Sequence, residues 1–156
     1  MTAQNSGKNS DALVELWNDI IPFPQYLSST PGKTSGFFWY GPSGTVTPVH
    51  HDLTNNFMAQ VRGRKRVRMI APTELSRLYN DRHCFSQVDP AKPDLARHPQ
   101  FAEVSVIDLV IGPGDLLFLP VGWWHHVQAV GTSITMTFTN FIYENDFNSF
   151  YPHAHS

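Results

Sequence analysis

The middle of the chain alternates between short apolar runs and Gly- or Pro-containing turns. Runs of this kind, rich in β-branched and aromatic residues, are typical of strands in an all-β sandwich or jelly roll. The turn signals include GPSG, GPGD, the bend at Gly122 and a tight turn from Arg62 to Arg64. The pattern predicts strands in these segments: FFWY from Phe37, TVTPVHHDLTNNFMAQV, KRVRMI, Val104 to Ile111, LLFLP, HHVQAV and SITMTFTNF.

Two short helices and one long loop complete the prediction. Ala12 to Ile20 has helical spacing and ends before Pro22, and Pro72 to Tyr79 forms a second helix capped by Thr73. Residues 80–101 are polar and proline-containing, which is typical of a surface loop. The predicted division is a disordered tail at 1–10, a helix and turn segment at 11–36, a barrel at 37–145 with a loop insert at 72–103, and a C-terminal tail at 146–156.

Composition narrows the classes of function. A chain of 156 residues with 41% hydrophobic residues fits one folded domain. A net charge of -2 and 15% charged residues give no electrostatic case for nucleic acid, and no apolar run approaches the roughly eighteen residues of a membrane span. The polar N-terminus lacks the apolar core of a signal peptide, and Cys84 has no second cysteine to pair with. We therefore expect a cytoplasmic location.

The segment His50-His51-Asp52 is the first candidate for a metal site. Residues two apart on a strand share a face, so His50 and Asp52 point together while His51 points away. Their backbones lie about 7 Å apart, and an imidazole and a carboxylate at that distance can meet at one ion. A pair of this kind is common by chance and on its own more often marks a polar strand face or a turn, so a third ligand is needed.

The third ligand is predicted from alternation in WWHHV. His125 shares a face with Val127 and Ala129, whereas His126 shares one with Gln128. The apolar face of a barrel strand points inward, so His125 is the inward histidine. Two histidines and one carboxylate leave coordination positions open, as in non-haem Fe(II) oxygenases, although zinc and manganese accept the same ligands.

A lysine and two amides are candidates for binding a small acid. Lys65 shares a predicted inner face with Val67 and Met69, and a buried ammonium needs an anionic partner. A lysine at the rim that reaches water explains the same pattern. Arg64, Arg66 and Arg68 then form a solvated outer row. Asn56 lies in phase with His50 and Asp52, and Asn140 ends the apolar row of Ile134, Met136 and Phe138, so each lines a polar pocket or caps a strand end.

Three motifs in a fixed order resemble a known family. TPVHHDLTNNFMAQVRGRKRV, GPGDLLFLPVGWWHHV and SITMTFTNF resemble the JmjC, or cupin-like, 2-oxoglutarate oxygenases. Within that family the chain is most similar to the protein hydroxylases typified by the asparaginyl hydroxylase of hypoxia-inducible factor. The likeness runs from about Phe38 to Phe141 and implies a double-stranded β-helix of the cupin or jelly-roll type.

The resemblance also implies roles for single residues. They are Fe(II) ligands at His50, Asp52 and His125, contacts to the distal carboxylate of 2-oxoglutarate at Lys65 and Thr47, and neighbours of the cosubstrate at Asn56 and Asn140. Strict alternation puts Thr47 on the face opposite His50, so its role requires a bulge near Pro48. An aromatic hydroxyl that often contacts the cosubstrate in this family has only Trp39 and Tyr40 as candidate positions.

We therefore expect an Fe(II)- and 2-oxoglutarate-dependent dioxygenase that hydroxylates a C–H bond with O₂ and releases succinate and CO₂. The expected partner is a protein or peptide substrate, with a small molecule as the alternative, and a homodimer stays open. Three other functions remain. One is a metal-binding cupin that is not an oxygenase, such as an isomerase or a binding barrel. The second is an N-methyl-lysine demethylase with the same iron chemistry, and the third is a catalytically inactive family member that serves as an interaction module.

Overall fold

The computed structural model describes residues 14–21, 23–28, 36–145 and 147. Most of these residues lie in strands and the turns between them. The strands are β1 (Phe37–Gly41), β2 (Val46–His51), β3 (Asn56–Arg62), β4 (Lys65–Ile70), β5 (Val106–Ile111), β6 (Leu116–Leu119), β7 (Trp124–Ala129) and β8 (Ser133–Phe138). Short 3₁₀ helices span Val14–Asp19, Pro72–Arg77 and Pro99–Glu103.

The strands form two antiparallel sheets of four strands each. Sheet I has the order β1-β8-β3-β6, and sheet II has the order β2-β7-β4-β5. Apart from the β4–β5 pair, successive strands along the chain alternate between the two sheets. This alternation closes the sheets around a common interior, as in a jelly roll. The predicted all-β double-stranded β-helix with minor helices is confirmed.

The long run from Thr45 to Val61 is two strands, not the single strand that the sequence predicted. Strand β2 belongs to sheet II and strand β3 to sheet I, and Asp52 to Asn55 connect them. Asn55 forms hydrogen bonds that are not part of a strand ladder. Its side-chain oxygen accepts from the Val121 N–H, and its own N–H donates to Asn145 Oδ1. The apolar alternation stops at this polar connection, and the chain crosses to the other sheet there.

The predicted helices differ from the observed ones in type and cap. The first is a 3₁₀ helix at Val14–Asp19, and Ala12 and Leu13 lie outside the described residues. The second ends at Arg77 and starts after Ala71 without a side-chain cap, so the predicted capping role of Thr73 is wrong. Pro72 at the helix start has no N–H to satisfy and a preset φ, which reduces the need for a cap. No helix of the described residues is long and apolar enough to cross a membrane.

Different parts of the chain cover the outer faces of the two sheets. The insert at 72–103 packs Leu78, Val88 and Phe101 against Val49 and Trp124 of sheet II. The residues packed outside sheet I are Leu27, Met136 and Phe138, with Trp17, Ile20, Phe38, Phe57, Ala59 and Phe141 around them. The predicted tail at 1–10 lies outside the described residues, and the boundaries between the predicted segments stay predictions.

The insert also changes the predicted arginine row of β4. Arg64 and Arg66 are exposed as expected, but Arg68 is only 8% exposed. Its guanidinium lies 3.2 Å from Asp108 Oδ2 and beside His126 Nδ1. The expectation of a fully solvated row was wrong, because a carboxylate on the neighbouring strand and a covering loop let a charged arginine be buried.

Candidate metal centre

Three side chains meet where β2 and β7 pair. In the register of that pair His50 lies directly opposite His125, and Asp52 follows the end of β2. His50 Nε2 lies 3.7 Å from Asp52 Oδ1, and His125 Nε2 lies 3.9 Å from Asp52 Oδ2. One ligand atom from each of the three residues lies within 4.8 Å of the other two. This spacing suits three ligands around one ion.

The hydrogen bonds of the two imidazoles fix which nitrogen faces the group. His50 Nδ1 lies 2.8 Å from the Pro48 carbonyl, and His125 Nδ1 lies 3.0 Å from the Trp123 carbonyl. A carbonyl can only accept, so each Nδ1 carries the proton and each Nε2 keeps a lone pair toward Asp52. Metal-bound histidines use their second nitrogen in this way. The donor set therefore fits a divalent metal ion.

Burial keeps one of these imidazoles neutral. His125 is almost fully buried, and desolvation, followed by the nearby His50, lowers its pKa to about 4. A neutral imidazole at pH 7 has its lone pair free for a cation. The side chains of His51 and His126 do not join the three candidate ligands. His51 packs edge-on against Trp124, and His126 lies beside Arg68. The inward orientation predicted for His125 is what the structure has.

The structure has the bulge near Pro48 that the predicted position of Thr47 requires. The register of β2 with β7 shifts between Thr47 and His50, as a β-bulge produces. Because of this shift, Thr47 lines the same cavity as His50 despite their odd spacing. Alternation alone would have put Thr47 on the outer face.

A cavity of about 380 Å³ opens between the two sheets at the three candidate ligands. Its size is in the range of small-molecule binding sites. The side chains that line it are Phe37, Trp39, Thr47, His50, Asp52, Thr54, Asn56, Met58, Lys65, Leu119, His125, Val127, Thr137 and Thr139. Polar and ionisable side chains therefore outnumber the apolar ones on its wall.

Lys65 is the cation of this wall. It is 9% exposed, and no hydrogen bond or ion pair joins its ammonium to any described residue. Burial lowers its pKa from 10.5 to about 8. A buried ammonium without a partner is costly, so the inner position of Lys65 creates a place for an anion.

The two predicted amides lie in different places. Asn56 lines the cavity and donates from Nδ2 to Asp52 Oδ2 at 3.2 Å, while its Oδ1 is buried without a hydrogen bond within the described residues. Asn140 is not one of the lining residues, and its amide donates to the carbonyl of Ser28 at 3.2 Å. The structure therefore brings Asn56 into the site and leaves Asn140 outside.

Asn140 was misplaced because the two faces of β8 were exchanged. The apolar residues Met136 and Phe138 face outward against Leu27, whereas Thr137 and Thr139 face the cavity. Thr137 also accepts a hydrogen bond from Trp39 Nε1 at 2.9 Å. An apolar row normally marks the inner face, but here the N-terminal segment covers the outer face and buries it equally well.

Comparisons with known proteins show which family the chain belongs to. The family model described as a cupin-like domain matches residues 2–149. The chain belongs to this family. The cupin-like domain is 40% identical over 135 residues to lysine-specific demethylase 8 of Danio rerio, which covers 82% of the chain and 33% of that protein. It is also 35% identical to Jumonji C domain-containing protein 5 of Drosophila melanogaster over 135 residues, or 81% of the chain and 34% of that protein.

The cupin-like domain therefore spans about a third of the length of these relatives. Among solved structures it is similar to the Escherichia coli ribosomal oxygenase YcfD, with 20% identity and a TM-score of 0.47 over 93% of the chain and 31% of that structure. The predicted membership of the JmjC and cupin-like group is confirmed by the family match and these relatives.

Proposed function

We propose that the cupin-like domain is an Fe(II)- and 2-oxoglutarate-dependent oxygenase that hydroxylates a C–H bond of a protein or peptide side chain. The observation that carries the proposal is one cavity with two kinds of site. Two histidine nitrogens and a carboxylate converge at one end, and a buried, unpartnered ammonium lies on the same wall. A molecule that chelates the metal at one end and carries a carboxylate at the other end would bind at both sites.

The strand register gives the distance between the two sites. Lys65 pairs with Ala129, four residues along β7 from His125, so their backbones lie about 13 Å apart on one face of sheet II. The lysine side chain and a short dicarboxylate together span such a distance. Thr47 lies next to this path and supplies a hydroxyl donor. Lys65 and Thr47 then hold the distal carboxylate of 2-oxoglutarate, and its 2-keto acid end reaches the metal.

The three candidate ligands would bind the metal ion. His50, Asp52 and His125 would hold Fe(II) through Nε2, a carboxylate oxygen and Nε2, and Asn56 would orient Asp52 through its Nδ2 hydrogen bond. When bound, Fe(II) supplies the activation of O₂ that hydroxylates the substrate while 2-oxoglutarate becomes succinate and CO₂. The apolar lining, including Phe37 and Met58, excludes water from the reacting groups.

The test is succinate formation by the anaerobically purified protein after Fe(II), 2-oxoglutarate and air are added. We expect succinate that depends on the metal and disappears in Asp52→Ala, and 2-oxoglutarate binding that weakens in Lys65→Met. Binding of 2-oxoglutarate without succinate indicates an enzyme that turns over only with its substrate. A wild-type protein that binds the metal but not 2-oxoglutarate contradicts the proposal and favours a cupin that is not an oxygenase.

Demethylation of N-methyl-lysine is a second candidate, because the Danio rerio relative is named a lysine-specific demethylase. The two reactions share the metal and the cosubstrate and differ in product. Hydroxylation leaves a product one oxygen atom heavier, whereas demethylation removes a methyl group as formaldehyde. Mass spectrometry of a substrate, together with a formaldehyde assay, distinguishes them.

A further inference from the structure

An aromatic side chain of the insert lies against one of the candidate metal ligands. The ring of Phe85 stacks on the ring of His50 with centroids 5.9 Å apart and planes inclined by 27°. The ring of His125 lies against His50 as well, with centroids 4.3 Å apart. Phe85 is not itself one of the lining residues of the cavity, but it contacts the outer side of His50, which is, and it comes from the loop and not from either sheet.

Backbone hydrogen bonds attach this part of the loop to β2. The His51 N–H donates to the Cys84 carbonyl at 3.0 Å, and the Ser86 N–H donates to the Val49 carbonyl at 3.1 Å. Phe85 is thus bracketed by two bonds to the strand that carries His50, and it forms a bridge with His50 itself. This part of the insert acts as a short additional strand at the edge of sheet II.

The turn that leads to Phe85 is held in an unusual conformation. Tyr79 and His83 both have φ near +49°, a region that residues other than glycine rarely adopt. The Asn80 amide donates to the carbonyls of His83 and Phe85, each at 2.6 Å. Backbone strain of this kind persists where the surrounding contacts fix it, and it is frequent at functional sites. Here the Asn80 amide and the two backbone bonds to β2 hold the turn that carries Phe85.

Part of the Phe85 ring is open to water. Phe85 is 45% exposed, and the other residues of 80–87 are polar except for Cys84. Support of His50 needs only the face of the ring that contacts it. Exposing the remaining area to water costs free energy in proportion to that area. A binding partner that covers the ring recovers this cost.

The charges near the site limit the chemistry of such a partner. A second cavity of about 280 Å³ adjoins Asp52, and its apolar lining residues are Leu53, Pro72, Leu75, Val121, Trp124 and Phe147. Asp52 is the only carboxylate among the described residues that line either cavity. Once it binds a metal, no carboxylate of these cavities remains to pair with a cationic side chain.

We infer that Phe85 is a specificity-determining residue that contacts the substrate side chain undergoing oxidation, and that this side chain is apolar and uncharged. The inference rests on the proposed function, since it places the substrate next to His50 and the metal. The exposed ring would cover the apolar part of that side chain beside the reacting carbon. Burial of apolar area equivalent to one methylene group contributes about 1 kcal/mol, which corresponds to a preference of roughly fivefold in affinity.

The test uses blocked five-residue peptides that have glycine at every position except the central one. The central residue is leucine, asparagine or trimethyl-lysine. Each peptide is added at millimolar concentration to protein loaded with Mn(II) and 2-oxoglutarate without oxygen, and broadening of its proton NMR signals reports binding beside the metal. Protein loaded with diamagnetic Zn(II) gives the reference spectrum. We expect the leucine peptide to bind roughly fivefold more tightly than the asparagine peptide.

Three variants separate the role of Phe85 from general effects. Phe85→Leu should keep the preference for leucine, and Phe85→Gln should lose it. Leu95→Gln is the matched control, because Leu95 is also 45% exposed in the same insert, and it should bind like the wild type. Mn(II) and 2-oxoglutarate affinities are measured in every variant to detect any loss of support for His50.

Each remaining outcome overturns the inference in an identifiable way. If the wild type binds 2-oxoglutarate beside Mn(II) but shows no leucine preference, or keeps that preference in Phe85→Gln, the proposed function stands and the role of Phe85 is wrong. Tighter binding of trimethyl-lysine shows that the substrate is cationic. Failure of the wild type to bind 2-oxoglutarate overturns the proposed function, and the inference fails with it.

Discussion

The two walls of the cavity differ in charge. Sheet II carries His50, His125 and Lys65, on the three neighbouring strands β2, β7 and β4. The side chains that sheet I contributes are all uncharged: Phe37, Trp39, Asn56, Met58, Leu119 and Thr137. Backbone registers therefore fix the distances between the charged groups, while the neutral wall sets the shape of the cavity. We therefore expect sheet II to supply the chemistry, by binding the metal and the cosubstrate. Sheet I then supplies the fit, because it sets which molecules the cavity accommodates.

Removing the carboxylate between the walls should have the largest effect. In Asp52→Ala the two histidines keep their Nε2 lone pairs, but the single negative charge that faces them is lost. We expect metal affinity to fall by at least about a hundredfold, beyond the effect of losing an outer-shell partner, and turnover to become undetectable. Calorimetric titration with Mn(II) and the succinate assay measure the two losses.

A matched control is Asp89→Ala, which removes an exposed carboxylate that lies near His126 on the outer side of sheet II. It should leave metal binding and turnover unchanged. Equal losses in the two variants would contradict a specific role of Asp52.

Removing the cation of the charged wall should have the next largest effect. Lys65→Met keeps an unbranched apolar side chain in the buried position and removes the ammonium. A hydrogen bond to a charged group contributes about 1.5–3 kcal/mol, so 2-oxoglutarate affinity should fall by roughly ten- to a hundredfold. Mn(II) affinity should be unchanged, because Lys65 lies about 13 Å along the sheet from His125 and is not one of the three ligands. Unchanged 2-oxoglutarate affinity would show that the anion binds elsewhere.

The charged wall was also the easier wall to predict from the sequence. His50, Asp52, His125 and Lys65 each depart from the apolar pattern of their strand, and β-strand alternation assigns them a face. Thr47 needed a bulge, which follows from the register shift and which alternation cannot supply. The resemblance to a family provided that residue.

Apart from Asn56, the polar part of the neutral wall escaped prediction for a physical reason. Both faces of β8 are buried, one by the cavity and the other by Leu27 and its neighbours. Alternation then no longer tells inside from outside, and the apolar row led to Asn140 instead of Thr137 and Thr139. Phe85 lies in a polar loop, and only the tertiary contact with His50 marks it.

The affinity for 2-oxoglutarate should depend on pH, because the Lys65 ammonium of the sheet II wall loses its charge in the alkaline range. Burial lowers the pKa of Lys65 to about 8, so the ammonium is present at pH 7 and mostly lost at pH 9. If only the ammonium form binds the carboxylate, the affinity for 2-oxoglutarate falls about tenfold between these values. Titrations across this range measure it, and Lys65→Met should lack the dependence.

The free energy of unfolding of the ligand-free protein should rise with pH, whereas the affinity for 2-oxoglutarate falls. The pKa of Lys65 is lower in the folded protein than its ordinary value of 10.5, so the unfolded chain binds more protons between about pH 8 and 10.5. Burial of the charged form destabilises the fold fully below that window, and stability rises with pH through it. The difference in unfolding free energy between wild type and Lys65→Met isolates this contribution, and a difference that does not vary with pH contradicts it.

The smallest effect should come from the neutral wall. Thr137→Val keeps the shape of the side chain but removes the hydroxyl that accepts from Trp39 Nε1. The net contribution of a neutral hydrogen bond is about 1 kcal/mol, so we expect a loss of roughly fivefold or less in 2-oxoglutarate affinity, without a change in its pH dependence. Metal affinity should stay at the wild-type value. A loss as large as that of Lys65→Met would mean that the neutral wall binds the anion too, and the division between chemistry and fit would then fail.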